Sequence, residues 1–438
     1  MLLTIHRGTK EIGGSCVEIQ SGSSRILIDF GMPLVDKNRE PFDSDSIAGK
    51  SIEELKKEKT LPNIKGLYKG EKPQIDCILI SHSHLDHYGL LNFANPEIPI
   101  YISEGSRKLV EVTNTFMHKG IYLSSDKIVK NRVPFRIKDF EVTPYLVDHS
   151  GFDAMAYLIE AEGKRIFYSG DFRASGWKKS LFDRFIKNPP KNVNCLLMEG
   201  TTIERQDGAF ADEPAVLSGI QEVLRKTEKN VLLAYCSGQN IDRIVTFYKA
   251  VRRAKATLII DPYIATVLHV LKNERNKIPQ VDWGNIKVLI GNYRGHGDIY
   301  INKIVKSNFK YLTFDIGRHK IKTWEVGREK CLVLMRNSMI PLVERIQGIK
   351  GTTLIYSQWE GYIRDKKKPN AFQDFVHANN LTVEHIHTSG HAVLNDLQRF
   401  AKALKPKSLV PIHTFEPEKY QELFENVKIV NDGEPFVI

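Results

Sequence analysis

The stretch Ser81-His82-Ser83-His84-Leu85-Asp86-His87-Tyr88-Gly89 places three histidines and an aspartate within six positions, directly after an apolar run at 75–80. Residues two apart at the end of a strand project to one face, so His82 and His84 can grip one ion together. Asp86 and His87, at the turn that follows, can face a second ion beside it. Imidazole nitrogen with carboxylate oxygen is the donor set of catalytic zinc and similar divalent metals, and no thiolate is required. A histidine-rich surface loop explains the stretch less well, because solvated loops rarely follow a buried strand with four donors in register.

Other apolar runs deliver donors in the same way. The run at 140–147 leads into Asp148-His149-Ser150-Gly151, 165–168 into Ser169-Gly170-Asp171-Phe172, 193–198 into Glu199-Gly200-Thr201-Thr202, and 408–412 into His413-Thr414. Open α/β sheets place their ligands at such carboxyl ends. Upstream, runs at 16–19 and 25–30 flank Ser21-Gly22-Ser23-Ser24 and predict a hairpin. It ends in Asp29, which can orient a metal ligand from behind or cap a turn. Residues 35–74 are polar and predict a surface insertion with a short helix at 51–59; Leu90, Leu91 and Phe93 predict a helix ending near Pro96.

From Thr202 to about Phe375 strands and helices alternate: 231–236 before 241–254, 256–260 before 264–273, and 331–334 before 340–347. Units of this length imply a parallel sheet of βαβ type with a core of its own. The donor-bearing pattern resumes near Val383, so the expected organisation is one domain from 1–201 and 376–438, with 202–375 inserted into it.

The 438 residues, 42% hydrophobic and 26% charged, suffice for two cores. No basic-then-apolar leader opens the chain and no apolar run approaches the roughly 18 residues of a membrane span, so no membrane and a cytoplasmic location are expected. The five cysteines (Cys16, Cys77, Cys195, Cys236, Cys331) are far apart and read as reduced core residues. Residues 201–375 carry 29 Lys and Arg against 18 Asp and Glu, whereas the remainder carries 34 against 34. The whole net charge of +11 therefore sits in the insertion, as a surface for a polyanion would require. A basic domain with no nucleic-acid partner carries the same charge.

With these residues laid out, the chain resembles the metallo-β-lactamase fold, whose H-x-H-x-D-H signature is matched by His82, His84, Asp86 and His87; His149 and Asp171 match the next two ligand positions. Glu199, His391 and His413 around a βαβ insertion resemble the β-CASP branch, which includes ribonuclease J, the mRNA 3′-end-processing endonuclease and Artemis-type DNA nucleases. Glu199 matches the motif A acid, His391 in His387-Thr388-Ser389-Gly390-His391-Ala392 the motif B histidine, and His413 in Pro411-Ile412-His413 motif C, where histidine goes with the RNA-processing members. The implied fold is α/β, an αββα sandwich with an inserted parallel-sheet β-CASP domain. The chain departs from the family at Thr414-Phe415-Glu416-Pro417, where Gly-Glu is common, and at Tyr356 to Tyr362. The C-terminal domain of ribonuclease J and the KH domains of archaeal members are expected to be lacking.

The resemblance implies two divalent ions, zinc foremost and manganese next: His82, His84 and His149 at one, Asp86, His87 and His413 at the other, Asp171 between them. Such a pair would turn a shared water into the hydroxide nucleophile for phosphodiester hydrolysis. His391 would be the general acid, Glu199 would orient it, and Asp86 would take part in catalysis as well as ligation. The expected substrate is single-stranded nucleic acid, RNA favoured; the alternatives are a single-stranded DNA exonuclease of the same family and a small-molecule metallo-hydrolase. A homodimer is compatible with this reading.

Ser389-Gly390 is read as opening an amphipathic helix bearing Leu394, Leu397, Phe400, Ala401 and Leu404, and so as a phosphate cradle. Ser237, Asn240 and Arg243, and Arg336 with Ser338, occupy similar turns; each is as well explained as a helix cap. Trp359 and Tyr362, before Lys366-Lys367-Lys368, can stack bases or simply form a packed aromatic turn. His6, His118, His269, His296, His319, His377, His385 and His387 have no companion acid at ligand spacing and are expected in core or solvent roles.

Overall fold

The computed structural model describes residues 1–438 apart from 37, 118–120, 122, 124–125, 204–208, 274–276, 292–297 and 365–369. His118, His296 and Lys366 to Lys368 lie outside the described residues. Three sheets organise the chain. The first holds β1 (Leu2–Arg7), β2 (Cys16–Ser21), β3 (Ser24–Ile28), β4 (Cys77–Leu79), β5 (Ile100–Ser103) and β6 (Asp126–Val129). The second holds β7 (Phe135–Ile137), β8 (Phe140–Leu146), β9 (Met155–Ala161), β10 (Lys164–Tyr168) and β11 (Cys195–Glu199). The third runs through β12 (Val231–Tyr235), β13 (Thr257–Ile260), β14 (Ile286–Leu289), β15 (Lys320–Ile321), β16 (Cys331–Met335), β17 (Thr353–Tyr356) and β18 (Thr382–His385). The chain then returns: β19 (Ser408–Ile412) pairs parallel with β11 in the second sheet, and β20 (Pro435–Val437) pairs antiparallel with β1 in the first.

The first two sheets face one another. Ile5, Val17, Ile19, Ile28 and Leu79 of one pack against Val142, Tyr157, Ile159, Ile166 and Leu197 of the other in a single buried cluster. Alternate residues of the same strands face outward, where helices cover them: Leu27 and Ile78 meet Leu55 and Val110, while Leu196 and Phe167 meet Phe182, Phe185, Leu397 and Phe400. This is the four-layer α/β sandwich expected of the chain. The third sheet is wholly parallel, with helices burying both faces. It extends to β18, whose residues lie beyond 375 and pair parallel with β17. One helix serves both bodies: Glu104–Met117 sends Leu109, Val112 and Phe116 into the core of the third sheet, and Gln239 Nε2 donates to its Thr113 Oγ1 at 2.8 Å.

Several elements differ from expectation. β1 joins the hairpin β2–β3 as an additional antiparallel strand. In place of one helix over 90–96 stand a four-residue helix, Leu85–Tyr88, and a 3-10 turn, Leu91–Phe93, because backbone from the neighbouring hairpin claims the loop: Phe30 N–H donates to His87 O and Met32 N–H to Leu85 O. The helix expected from Ser389 begins at Leu394, with Val393 as its cap and no side-chain capping bond. Leu397, Phe400 and Leu404 are its buried face, and Leu394 is exposed.

Candidate metal centre

Five strand ends converge at the rim between the first two sheets. β4 supplies His82, His84, Asp86 and His87; β8, β10, β11 and β19 supply His149, Asp171, Glu199 and His413. The ligand atoms of His82, His84 and His149 lie within 4.8 Å of one another, as do those of Asp86, His87, Asp171 and His413. Within the first group, His82 Nε2 is 3.0 Å and His149 Nε2 3.2 Å from His84 Nδ1. Asp171 Oδ2 sits between the groups, 3.8 Å from His82 Nε2, 3.1 Å from His87 Nε2 and 3.8 Å from His413 Nε2.

The far nitrogen of four imidazoles is held by a partner. Asp29 Oδ2 accepts from His87 Nδ1 at 2.8 Å, Gly390 O from His149 Nδ1 at 2.7 Å, Thr201 Oγ1 from His413 Nδ1 at 2.9 Å, and Ser81 Oγ lies 3.1 Å from His82 Nδ1. Each contact leaves Nε2 facing inward, the arrangement that supports metal-bound histidine. Asp29, read from sequence as either a ligand's partner or a turn cap, is thus behind His87; it also accepts from Ser81 N–H, Ser81 Oγ and Tyr168 Oη at 2.7, 2.8 and 2.7 Å. Asp29 and His413 both hold left-handed backbone, φ 57° and 53°, a strained conformation for non-glycine residues.

The electrostatics suit cations. Burial, reinforced by neighbouring histidines, drives His82 and His149 well below the usual imidazole range. Burial brings His84 down to about 4. All three stay neutral donors near neutral pH. On the carboxylates burial is outweighed: His87 and His413 hold Asp86 at about 2, and His413 and His87 hold Asp171 well below its ordinary value. Burial also opposes charge on His87, yet Asp171, Asp86 and Asp29 raise it well above normal, so a proton there stands where a cation would. The donor set suits a divalent cation, which would take the place of the proton at His87.

Gly31 makes the approach possible. A Cβ at that position would lie 1.6 Å from the carbonyl oxygen of Asp86, so only glycine lets the hairpin clamp the ligand loop.

Glu199 and His391 stand beside Asp171. Glu199 Oε2 lies 3.0 Å from His391 Nδ1 and accepts from Thr201 Oγ1 at 2.7 Å, while Glu199 Oε1 accepts from Phe172 N–H at 2.8 Å. The Glu199 side chain is 1% exposed and that of His391 19%, so the imidazole is the member that solvent or substrate can reach. A cavity of about 430 Å³ opens beside it, lined in part by Ser175, Lys179, Thr388, Ser389 and Asp396.

The phosphate-ligand candidates fare differently. Ser389 and Gly390 do not open a helix; Ser389 Oγ accepts from His391 N–H at 3.0 Å and Gly390 O serves His149, so the pair shapes the loop. Arg243 is wholly buried and bound to Glu213 Oε1 at 3.0 Å, which removes it from any surface phosphate. Asn240 caps the helix Ile241–Arg253. Arg336 pairs with Asp261 and lies over the Tyr263 ring at 4.4 Å. Ser237 and Ser338 are exposed. His6 and His385 do have acids, Glu18 and Glu360, each at 2.8 Å; Glu18 also accepts from Arg25 Nε at 2.7 Å, and neither acid is near its histidine in sequence. Tyr362 is exposed with its ring edge-on to Trp359. Sequence reasoning assigned no role to Thr201, Ser81 or Arg173. A hydroxyl two residues beyond Glu199 was the available signal for Thr201.

Residues 55–231 match the beta-lactamase superfamily domain, and residues 378–431 the Zn-dependent metallo-hydrolase RNA specificity domain. Ribonuclease J of Mycoplasma genitalium is 22% identical over 424 residues, which cover 93% of this chain and 66% of that protein. Ribonuclease J of Helicobacter pylori is 21% identical over 429 residues, 93% and 55% of the two chains. The chain thus spans between about half and two-thirds of these relatives' length. An RNase J-like protein of Methanocaldococcus jannaschii is 20% identical over 458 residues, 97% of this chain and 94% of its own. A protein of unknown function from Enterococcus faecalis, solved by crystallography, shares the fold with a TM-score of 0.76, 22% identity, and coverage of 100% of this chain and 99% of its own.

Proposed function

Because the chain belongs to the metallo-β-lactamase superfamily, in its β-CASP branch, we propose that it is a metal-dependent ribonuclease that hydrolyses phosphodiester bonds in single-stranded RNA. The observation that carries this reading is the Glu199 to His391 contact of 3.0 Å beside the Asp171 carboxylate, which belongs to the Asp86, His87 and His413 cluster and lies 3.8 Å from His82 Nε2. His82, His84 and His149 would hold one ion, Asp86, His87 and His413 the other, and Asp171 both. Two divalent ions, zinc foremost and manganese next, would when bound acidify a shared water and neutralise charge on the attacked phosphate. Glu199 keeps His391 Nδ1 protonated and turned inward. The proton delivered to the leaving oxygen would then come from Nε2. The cavity beside His391 is of a size for one nucleotide. The inserted segment 202–375, which carries the chain's net positive charge, supplies the surface along which the strand lies.

The RNA specificity domain match over 378–431, which includes His391 and His413, favours RNA over DNA. The test is incubation of the purified protein with 5′-labelled RNA and matching single-stranded DNA, with and without chelator. Chelator-sensitive cleavage of RNA is the expected result; cleavage of neither polymer removes the nuclease reading, and cleavage of DNA alone reassigns the substrate. A ladder of mononucleotides against discrete fragments separates exonucleolytic from endonucleolytic action.

A further inference from the structure

Three consecutive backbone carbonyls precede His391, and each is held by a buried side chain. Thr388 O accepts from Arg243 Nη2 at 3.4 Å, Ser389 O from Arg173 Nη1 at 3.1 Å, and Gly390 O from His149 Nδ1 at 2.7 Å. The two arginines have no exposed side-chain surface, and acids of the inserted segment anchor them. Arg173 Nη2 lies 2.6 Å from Asp242 Oδ2 on the helix Ile241–Arg253, and Arg243 Nη2 lies 3.0 Å from Glu213 Oε1 on the helix Glu213–Lys226. On its other side Arg173 Nε lies 3.4 Å from Asp148, the residue before His149, and Arg173 itself follows Asp171 by two positions.

Loop carbonyls in a buried setting must find donors, and here two of the three donors are charged guanidinium groups anchored by acids of the inserted segment. The desolvation of four charged side chains is a high cost for adhesion alone, which apolar residues of similar volume would achieve as well. The geometry also excludes substitutes at the crossing point: a Cβ at Gly176 would stand 2.3 Å from Asp148 Oδ1 and 2.6 Å from Arg173 Nη2.

We infer that Asp242 and Glu213, acting through Arg173 and Arg243, are positioning residues that set the Thr388 to His391 loop against the metal-ligand cluster, so that the inserted segment determines where the proton donor stands. The inference rests on the ribonuclease reading for its kinetic arm and on geometry alone for its dynamic arm. Removing the Asp242 charge leaves Arg173 bonded to Asp148 and frees the Ser389 carbonyl to shift.

The experiment is Asp242→Asn in the full chain, read in two ways. Hydrogen–deuterium exchange of amides 388–392 rises relative to the unchanged protein, with bound metal undiminished. Turnover of single-stranded RNA falls about tenfold in kcat with KM nearly constant, and the double variant with His391→Ala is no slower than His391→Ala alone. Unchanged exchange at 388–392, or rate losses that multiply in the double variant, overturns the inference. If the parent protein cleaves no RNA, the function proposal falls and the exchange measurement still decides the brace. If Asp242→Asn does not fold, Glu213→Gln, read by the same two measurements, takes its place.

Discussion

Glu199 uses both carboxylate oxygens: Oε2 meets His391 Nδ1 at 3.0 Å, and Oε1 takes the backbone N–H of Phe172, the residue after Asp171, at 2.8 Å. One side chain therefore ties the half-buried His391 imidazole to the strand end that bears Asp171, and through Thr201 Oγ1 it also backs His413. Replacing it with Gln keeps the shape and removes the charge that stabilises a protonated His391. The expected result is a loss of about 10²-fold in kcat with metal content unchanged. Unaltered kcat in Glu199→Gln would refute the role.

His391→Ala should lower RNA turnover by about 10²- to 10⁴-fold, leaving a slow residual rate, while both metal equivalents remain bound, as measured by elemental analysis of the dialysed protein. The alternative outcome is informative, since Asp171, Glu199 and His391 also lie within ligand distance of one another. Loss of metal would make His391 a ligand.

Asp29→Asn attacks the centre from behind. The carboxylate that fixes His87 Nδ1 at 2.8 Å becomes an amide that can present the wrong group, and metal affinity should weaken about 10- to 100-fold by competition with a chromophoric chelator. Affinity equal to that of the parent would show that Asp29 serves the backbone turn alone.

The metal-free protein should be sensitive to mild acid. His84 has a pKa of about 4 in the fold, against an ordinary value of 6.5, because burial disfavours its charge. Between those values the unfolded chain binds more protons than the native one. The neutral-ring advantage is therefore complete above about pH 6.5 and is withdrawn as the pH falls towards 4, by at most ~1.4 kcal/mol per pH unit from this residue. Melting temperature of chelated protein should drop across that window, and zinc should restore it by binding the folded state. A chelated protein whose melting temperature is flat there would contradict the burial of His84.

Gly31→Ala should destabilise by about 3 kcal/mol or more, because relief of a 1.6 Å clash requires the hairpin and the Asp86 loop to separate. Denaturant titration of metal-free protein measures it. A loss under about 1 kcal/mol would mean that the clamp yields easily.

The convergence of the donors is legible in the sequence because they follow a local rule, standing at the carboxyl ends of strands, which survives any error in strand length. Residues whose meaning depends on distant partners were not readable. Arg243, in the first turn of a helix, looks locally like an anion ligand; Glu213, 30 residues earlier, buries it instead. Arg173 gave no local signal at all, since its partner Asp242 is 69 residues away. The expected helix at 389 failed for a related reason. Side chains from three distant positions claim the carbonyls of 388, 389 and 390, so the chain cannot coil until they are past.

His413 and Asp86, 3.2 Å apart in space, are separated by 327 residues in sequence. During synthesis the ribosome must therefore release β19 before the second donor cluster can close, however early the first three histidines fold. On the proposed ribonuclease reading, a nascent chain that has released His82, His84 and His149 still lacks His391 and His413, and so would emerge without the means to cut the message that encodes it.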